Sequence, residues 1–380
     1  MMRLAYASIY DVGDVHQGSG TPFYMARALG GHVPWMQCIA PLETPRSYVL
    51  AAKHFFYRRL WPRPYSSYRE PLVLKGFARQ LEASIAREKV DFVFSPSTLP
   101  LAYLQCREPV GFWIDAVFAA MVGFYPQFSE LTRGMIRMGN DAEQKALDRA
   151  SLAIFSSDWA ARAALEHYRV DPARVRVVPF GANVEDRSPD IVEASIASRP
   201  ADRCRLLFVG VDWQRKGGDI ALDVAGRLKK ANLPVRLDIV GCEPEIEGSL
   251  PEYVQCHGFV SKSTAEGRKR LKNLLEESHF LLLPSRADCS PIVVSEASAF
   301  GVPCLGTRVG GIATLIKEWQ NGYLFPADAG GGDYAACIMR HFENYSSYQA
   351  LARSSFEEYR TRLNWGVSAA RVAGMLAELV

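Results

Sequence analysis

Short apolar runs alternate with longer amphipathic stretches along the whole chain, and they do so in two successive sets. In the first half the runs are RLAYASI (3–9), DFVFSP (91–96), VGFWID (110–115), LAIFSS (152–157) and VRVVPFG (175–181). Between them FARQLEASIAREK (77–89) and GNDAEQKALDRA (139–150) have helical spacing. The second half repeats the rhythm with CRLLFVG (204–210), VRLDIVG (235–241), YVQCHGFV (253–260), FLLLPS (280–285) and PCLGT (303–307). GDIALDVAGRLKKAN (218–232) is an amphipathic helix between the first two of these. Strands that alternate with helices predict α/β units with parallel sheets. Two sets predict two doubly wound domains.

A chain of 380 residues exceeds one core of ordinary size, which agrees with two domains. Residues 182–203 are polar and interrupt the strand rhythm, so the division is expected there. The expected parts are a first domain over 1–185, a second domain over 186–355, and a helical segment over 356–380. With 48% hydrophobic and 22% charged residues the chain is globular. A formal charge of +3 is too small to make nucleic acid the expected partner. The eight cysteines are scattered, with no C-x-x-C pair, and read as reduced thiols of a cytoplasmic protein. The sequence has no signal-peptide pattern and no run near the ~20 apolar residues of a membrane span. KHFFYRRLWPRPYSSYRE (53–70) mixes arginines with aromatics. It reads either as a surface helix and loop with snorkelling side chains or as an acceptor or membrane-surface patch at the inner face of a membrane.

Three stretches carry candidate chemistry. DVHQGSGTPFYMARAL (14–29) follows the first strand, and Gly18 and Gly20 permit a tight turn at a helix start. It is not a full G-x-G-x-x-G, because Phe23 stands at the third glycine, and no acid ends an obvious second strand. By itself the loop reads equally as an ordinary turn. FVGVDWQRKGGD (208–219) places Arg215 and Lys216 beside a flexible loop at a strand's carboxyl end, where a guanidinium fork and an ammonium suit a diphosphate. The alternative is a solvated loop with two surface cations. In RADCSPIVVSEASAFG (286–301), Asp288 and Glu296 sit in apolar surroundings, where a carboxylate is costly unless paired or holding a ligand. Ser290 and Pro291 predict an N-cap and first helical residue, with free amides at Ile292 and Val293. Small neighbours of Glu296 let that helix pack closely, and its carboxylate suits sugar hydroxyls. The alternative has Asp288 capping the loop and Glu296 paired to an arginine.

These residues also carry a resemblance. The second half resembles the nucleotide-binding domain of retaining GT-B glycosyltransferases of family 4, whose signature is Glu-x7-Glu followed by Ala-x-Ala-x-Gly-x-Pro. Here the stretch is DCSPIVVSEASAFGVP (288–303). RKGG (215–218) resembles the family's phosphate-binding loop, and VGGIATLIKEWQNGYLF (309–325) its G-G-x-x-E-x-I-x-x-G-x-x-G-x-L-F tail. The resemblance is specific over about 204–326 and weaker over 156–185 and at the Gly18/Gly20 loop. It implies a GT-B fold of two Rossmann-like domains facing a central cleft. It also implies that Arg215 and Lys216 bind the donor diphosphate, and Glu296 the ribose. Asp288, with the amides of Ile292 and Val293, would hold the transferred sugar, and Gly258, Phe259 and Val260 would receive the base. Three departures bear on the implied roles. Asp288 replaces the first Glu, Val211 follows Gly210 where an arginine is frequent, and Ile114 stands before Asp115 where many members carry histidine.

The implied reaction is retaining transfer of a sugar from a UDP- or GDP-sugar to a hydroxyl of a glycan, a lipid-linked acceptor or a small molecule. Arg215, Lys216 and helix amides would stabilise the departing diphosphate while the acceptor attacks from the same face, the domains closing over the donor. Asp288 is the first catalytic candidate and Asp115 a weaker one that otherwise shapes the acceptor side, the domain over 1–185. Gly18, Gly20 and Ser290 would also contact the donor, and the segment over 356–380 would cross back to the first domain. No D-x-D pair stands near the site, so metal independence and no cofactor are expected. The rival readings are a sugar-nucleotide epimerase, which needs further acid/base groups in the cleft, and a non-catalytic binding member of the same architecture.

Overall fold

The computed structural model describes residues 2–60 and 65–380. Residues 61–64 of the arginine-aromatic patch lie outside the described residues. The chain forms two compact units, one of Met1–Val178 with Ser368–Val380 and one of Pro179–Val367.

The first unit is built on a parallel sheet of β1 (Arg3–Ala7), β2 (Trp35–Ile39), β3 (Phe92–Ser95), β4 (Val110–Ile114), β5 (Leu152–Phe155) and β6 (Val175–Val177), in the order β2-β1-β3-β4-β5-β6. Every residue of β3, β4 and β5 is buried, as expected for strands covered by helices on both faces. Edge strand β2 was not foreseen. Its WMQCI is only half-buried and lacks the continuous apolar run of a central strand.

The second unit holds β7 (Cys204–Val209), β8 (Val235–Val240), β9 (Val254–Cys256), β10 (Phe280–Leu283), β11 (Cys304–Thr307) and β12 (Gly322–Phe325), in the order β12-β11-β10-β7-β8-β9. All pairings are parallel. Counted from β7, this is the 3-2-1-4-5-6 order of the Rossmann fold, and it reverses between β7 and β10. Helix Gly218–Lys230 buries Ala221, Val224, Ala225 and Leu228 on one stripe. It places Asp219 in its first turn and Arg227, Lys229 and Lys230 in its last, each favourable to the helix dipole.

Two helices differ from the sequence expectation at their starts. The helix expected at 77–89 begins at Pro71, and the one expected at 139–150 begins at Arg133, where the Thr132 hydroxyl accepts from the Met135 amide at 3.2 Å. The stretch expected as one helix over 356–379 is two, Tyr345–Thr361 and Trp365–Ala377. Asn364 makes the break, and the nearby Gly366 lies inside the second helix and not at the break itself. Asn364 Nδ2 donates to the carbonyls of Tyr359 and Arg360 (2.8 and 2.9 Å), and its Oδ1 accepts from the Val367 amide (2.9 Å). One side chain thus closes the first helix and opens the second.

Candidate functional site

In a sheet of this order, the crevice outside the carboxyl ends of β7 and β10 is the place where a ligand meets exposed loop backbone on both sides. After β7 the chain passes through a short helix, Trp213–Lys216, turns at Gly217 and enters Gly218–Lys230. The Asp212 carboxylate caps the short helix by accepting from the Arg215 amide at 2.9 Å. Gly217 has φ +75°, and a Cβ there would stand 2.0 Å from the Pro284 carbonyl oxygen. Only glycine lets the loop after β7 lie against the loop after β10.

Backbone and side chains then tie the two loops together. The Arg286 amide donates to the Arg215 carbonyl (2.8 Å), and the Arg286 guanidinium forms a two-pronged pair with Asp219 (2.7 and 2.9 Å). This pair holds the Asp219 carboxyl below its ordinary pKa. Arg215 Nη1 donates to the Ala287 carbonyl at 2.9 Å and stands 4.0 Å from the Asp288 carboxylate. Lys216 forms an ion pair with Asp288, both side chains largely buried. The Asp288 carbonyl accepts from the Gly311 amide at 3.0 Å, which fixes the loop from a third side.

The predicted Ser290 cap is corrected. Pro291 occupies the N-cap with ψ 102°, still extended, so the helix runs over Ile292–Ser298 and begins one residue later than expected. Proline fixes φ but leaves ψ free. The Ser290 hydroxyl therefore lies beyond the helix end, and the buried Oγ atoms of Ser285 and Ser290 have no hydrogen-bond partner among the described residues. Within the helix Ser295, Ala297 and Ser298 are fully buried, and Ser295 Oγ donates to the Phe180 carbonyl at 3.2 Å. Glu296, 2% exposed, is paired not to an arginine but to Lys262 from the loop after β9. The sequence reading missed Lys262. Its only signal was a position two residues past Val260, at a strand's carboxyl end.

Gly258 (φ +60°) accepts from the Gly241 amide at 2.8 Å, Phe259 is 70% exposed, and Val260 packs partly on the core. The second unit therefore gathers Arg215, Lys216, Asp288, Ser290, Ile292, Val293, Glu296 and 258–260 on strand ends and their loops. Gly18, Gly20 and Asp115 stand in the first unit, on the carboxyl ends of β1 and β4. Gly18 and Gly20 have φ +55° and +79°, and Gly20 caps the helix Thr21–Gly30.

The first unit holds a second polar group that the sequence reading overlooked. Glu143 is buried, accepts from the Thr98 hydroxyl at 3.1 Å and lies 3.5 Å from Arg69. Burial pushes its carboxyl up, partly offset by Arg69 and Thr98. Arg69 also lies 4.4 Å over the Phe118 ring. Tyr10, after β1, is raised first by burial and then by Tyr68 and Asp115. Among the described residues, no group of three or more His, Cys, Asp or Glu side chains is placed to hold a metal ion.

The family model described as "Glycosyltransferase Family 4" matches residues 38–186, and the one described as "Glycosyl transferases group 1" matches 203–344. The D-inositol 3-phosphate glycosyltransferase of Nocardiopsis dassonvillei is 26% identical over 236 residues, which cover 59% of this chain and 54% of the relative. A second, from Catenulispora acidiphila, is 26% identical over 63% of this chain and 58% of its own length. The chain thus spans little more than half the length of these curated relatives. Among solved structures, sucrose-phosphate synthase from Thermosynechococcus elongatus matches with a TM-score of 0.69 at 17% identity, over 100% of this chain and 99% of that one. Anabaena HepE in complex with UDP matches at 0.65 and 16% identity, over 100% of both. WaaG, described as a glycosyltransferase of lipopolysaccharide biosynthesis, matches at 0.65 and 15%, over 98% and 99%. With a glycosyltransferase family model matched in each half and two Rossmann-like parallel sheets in its structure, the chain belongs to the GT-B glycosyltransferase superfamily.

Proposed function

We propose that the protein is a retaining, metal-independent glycosyltransferase that moves a sugar from a UDP- or GDP-sugar to an acceptor hydroxyl. The observation that carries this is the β7/β10 switch point, where Arg215, Lys216 and Asp288 converge and a buried Glu296 stands one helix away. In this reading Arg215 and Lys216 meet the diphosphate, Glu296 accepts from the ribose hydroxyls, and 258–260 receive the base. Asp288 faces the sugar with the amides of Ile292 and Val293, and nearby in the chain Ser285 and Ser290 carry buried hydroxyls with no partner among the described residues.

Two lysines now neutralise the two acids, so donor binding exchanges these ion pairs for hydroxyl and phosphate contacts. The anomeric C–O bond to the diphosphate breaks as the acceptor oxygen bonds to the same face of that carbon. The acceptor's proton passes to the leaving phosphate, whose charge Arg215 and Lys216 stabilise. Gly18, Gly20 and Asp115 belong to the acceptor-side unit. Anabaena HepE, solved with UDP, and WaaG, a glycosyltransferase involved in lipopolysaccharide biosynthesis, share this fold, and a uridine nucleotide with a glycan or lipid-linked acceptor is the pairing we propose to test first. The exposed aromatics Tyr48, Phe55 and Phe56 beside Lys53 and Arg59 support peripheral contact with the inner face of a membrane.

Thermal-shift titration with UDP, GDP, ADP and their sugars tests the donor site. One nucleotide raises the melting temperature of the protein, and Glu296→Ala lowers that affinity while remaining folded. No shift with any nucleotide overturns the reading. With the donor found, transfer persists in EDTA.

A further inference from the structure

Trp319 sits in a left-handed backbone conformation, φ +69°, which a bulky side chain adopts only at a cost. Its neighbours hold the turn. The Trp319 amide donates to the Gly322 carbonyl (3.1 Å), and buried Asn321 bonds the Lys317 amide (2.7 Å) and the Leu315 carbonyl (2.9 Å). The strain is not offset by burial, because Trp319 is 71% exposed and meets Tyr323 edge-on at 5.0 Å.

Beside this indole is a cavity of about 530 Å³ lined in part by Trp319, Tyr323, Arg340, His341, Ser347 and Ser354. Its proton inventory follows from the hydrogen bonds. The Ser347 hydroxyl donates to the Asn344 carbonyl (2.7 Å), so it accepts from His341 Nδ1–H (2.9 Å). His341 Nε2 is then the acceptor of the Tyr323 hydroxyl proton (3.0 Å). Burial, reinforced by Arg340, lowers the His341 pKa and agrees with a neutral ring. The Tyr323 oxygen keeps acceptor capacity, and the exposed Arg340 offers donors. The volume, the aromatic wall and the few convergent polar groups match a small-molecule subsite.

Trp319 precedes β12, so this cavity lies toward the amino ends of the parallel sheet, the opposite edge from the Arg215–Asp288 crevice. We propose that it is an accessory saccharide-binding subsite, with Trp319 as the platform under a pyranose ring and Arg340, Tyr323 and Ser354 bonding its hydroxyls. A sugar presents an apolar C–H face to an indole and both donors and acceptors around its rim, which the mixed aromatic and polar lining matches. The choice of a saccharide rests on the proposed glycosyltransferase activity; the existence of the subsite does not. Such a site would keep an oligosaccharide acceptor or product near the enzyme between transfers.

The test is ¹⁹F NMR of the full chain carrying 5-fluorotryptophan, with UDP and GDP present to occupy the donor site. The Trp319 resonance is assigned by its loss in Trp319→Gly. The probes are maltose, lactose, methyl α-mannoside and myo-inositol, with uridine and adenosine as flat controls. At least one saccharide shifts the resonance saturably, and Trp319→Phe retains that binding by calorimetry. Trp319→Gly weakens it by at least about tenfold while its melting temperature holds or rises, since the left-handed turn is relieved. No saccharide response, a response to the nucleosides alone, or a lower melting temperature in Trp319→Gly would overturn the proposal. The last result would make the indole a packing element. Because the readout is saccharide binding at Trp319, it stands or falls separately from the nucleotide thermal shift that tests the donor site.

Discussion

Lys262, on the loop after β9, closes an ion pair on the carboxylate of Glu296, which is otherwise sealed among small, fully buried side chains. Removing one partner of such a pair leaves a charge with neither water nor a counter-ion, whereas removing both leaves a neutral packed site. Lys262→Met alone is expected to lower stability by about 1–3 kcal/mol, less than a fully buried pair because the lysine is itself part-exposed. The double variant Lys262→Met/Glu296→Gln recovers most of that loss. Urea denaturation of the two single variants and the double closes the cycle. A Lys262→Met protein as stable as the parent would mean that Glu296 is compensated by something else.

Gly217 makes the crevice possible, and its two burdens can be separated. Its φ of +75° strains any L side chain, and a Cβ would also strike the Pro284 carbonyl at 2.0 Å. Gly123 has nearly the same φ, +74°, with nothing within 4 Å of a Cβ. Gly123→Ala therefore carries backbone strain alone, about 1 kcal/mol. Gly217→Ala is expected to cost clearly more and to weaken nucleotide binding, because the loops bearing Arg215 and Asp288 must part. Equal melting temperatures for the two variants would show that the clash relaxes without moving the loops.

His279 supplies a pH dependence with a definite sign. It is fully buried, its Nδ1 accepts from the Arg205 amide (3.1 Å) and its Nε2–H donates to the Pro200 carbonyl (3.0 Å), so the neutral ring is built into the fold. Burial, with Arg199 beside it, drops the pKa from 6.5 to about 3. Between those values the unfolded chain binds a proton that the folded chain refuses, so the stability contribution falls as pH is lowered through this window. Glu143 has the opposite sign, since its raised carboxyl binds a proton in the fold above 4.5, where the unfolded chain has lost it. Its contribution therefore falls as pH rises from about 4.5 upward. Melting temperatures from pH 4 to 7 should depend less steeply on acid in His279→Asn than in the parent. In Glu143→Gln the loss toward neutral pH should shrink. Parallel curves for all three proteins would remove both assignments.

The two sheets were legible because their central strands are continuous apolar runs, as in VGFWI and FLLL. Edge strands β2 and β12 were not, since one carries Gln37 and Cys38 in half-exposed positions and the other is a glycine-led GYLF. Arg215, Lys216, Asp288 and Glu296 could be found in the chain because each sits in a local pattern of glycines or small residues. Their partners could not. Lys262 lies 34 positions from Glu296, and Lys216 lies 72 from Asp288, so it takes the β7/β10, β7/β8 and β8/β9 pairings to bring them together. The helix break at Asn364 was equally hidden, because it depends on three hydrogen bonds of one amide side chain, while the nearby Gly366 sits inside the second helix.

The helix Tyr48–Phe55, continued by a π-turn over Phe56–Leu60, presents Tyr48 at 96% exposure with Val49, Phe55 and Phe56 also exposed. Among the described residues no helix is long and apolar enough to cross a membrane, so contact through this segment would be at the surface. Lys53 is paired with Glu70 at 2.8 Å and contributes little net charge, which leaves the aromatics and arginines such as Arg59 to carry the attraction. Each basic side chain near an anionic surface contributes about 1 kcal/mol, and exposed aromatics insert at the headgroup level. The protein should co-sediment with phosphatidylglycerol vesicles and less with phosphatidylcholine, and added salt should release part of it. Phe55→Ser/Phe56→Ser should reduce the salt-resistant fraction, and Arg59→Gln the salt-sensitive one. None of the three substituted side chains is buried, so melting temperatures should stay within about a degree or two of the parent. Equal sedimentation of the parent and both variants would remove the segment from any membrane role and return its aromatics to an ordinary exposed surface.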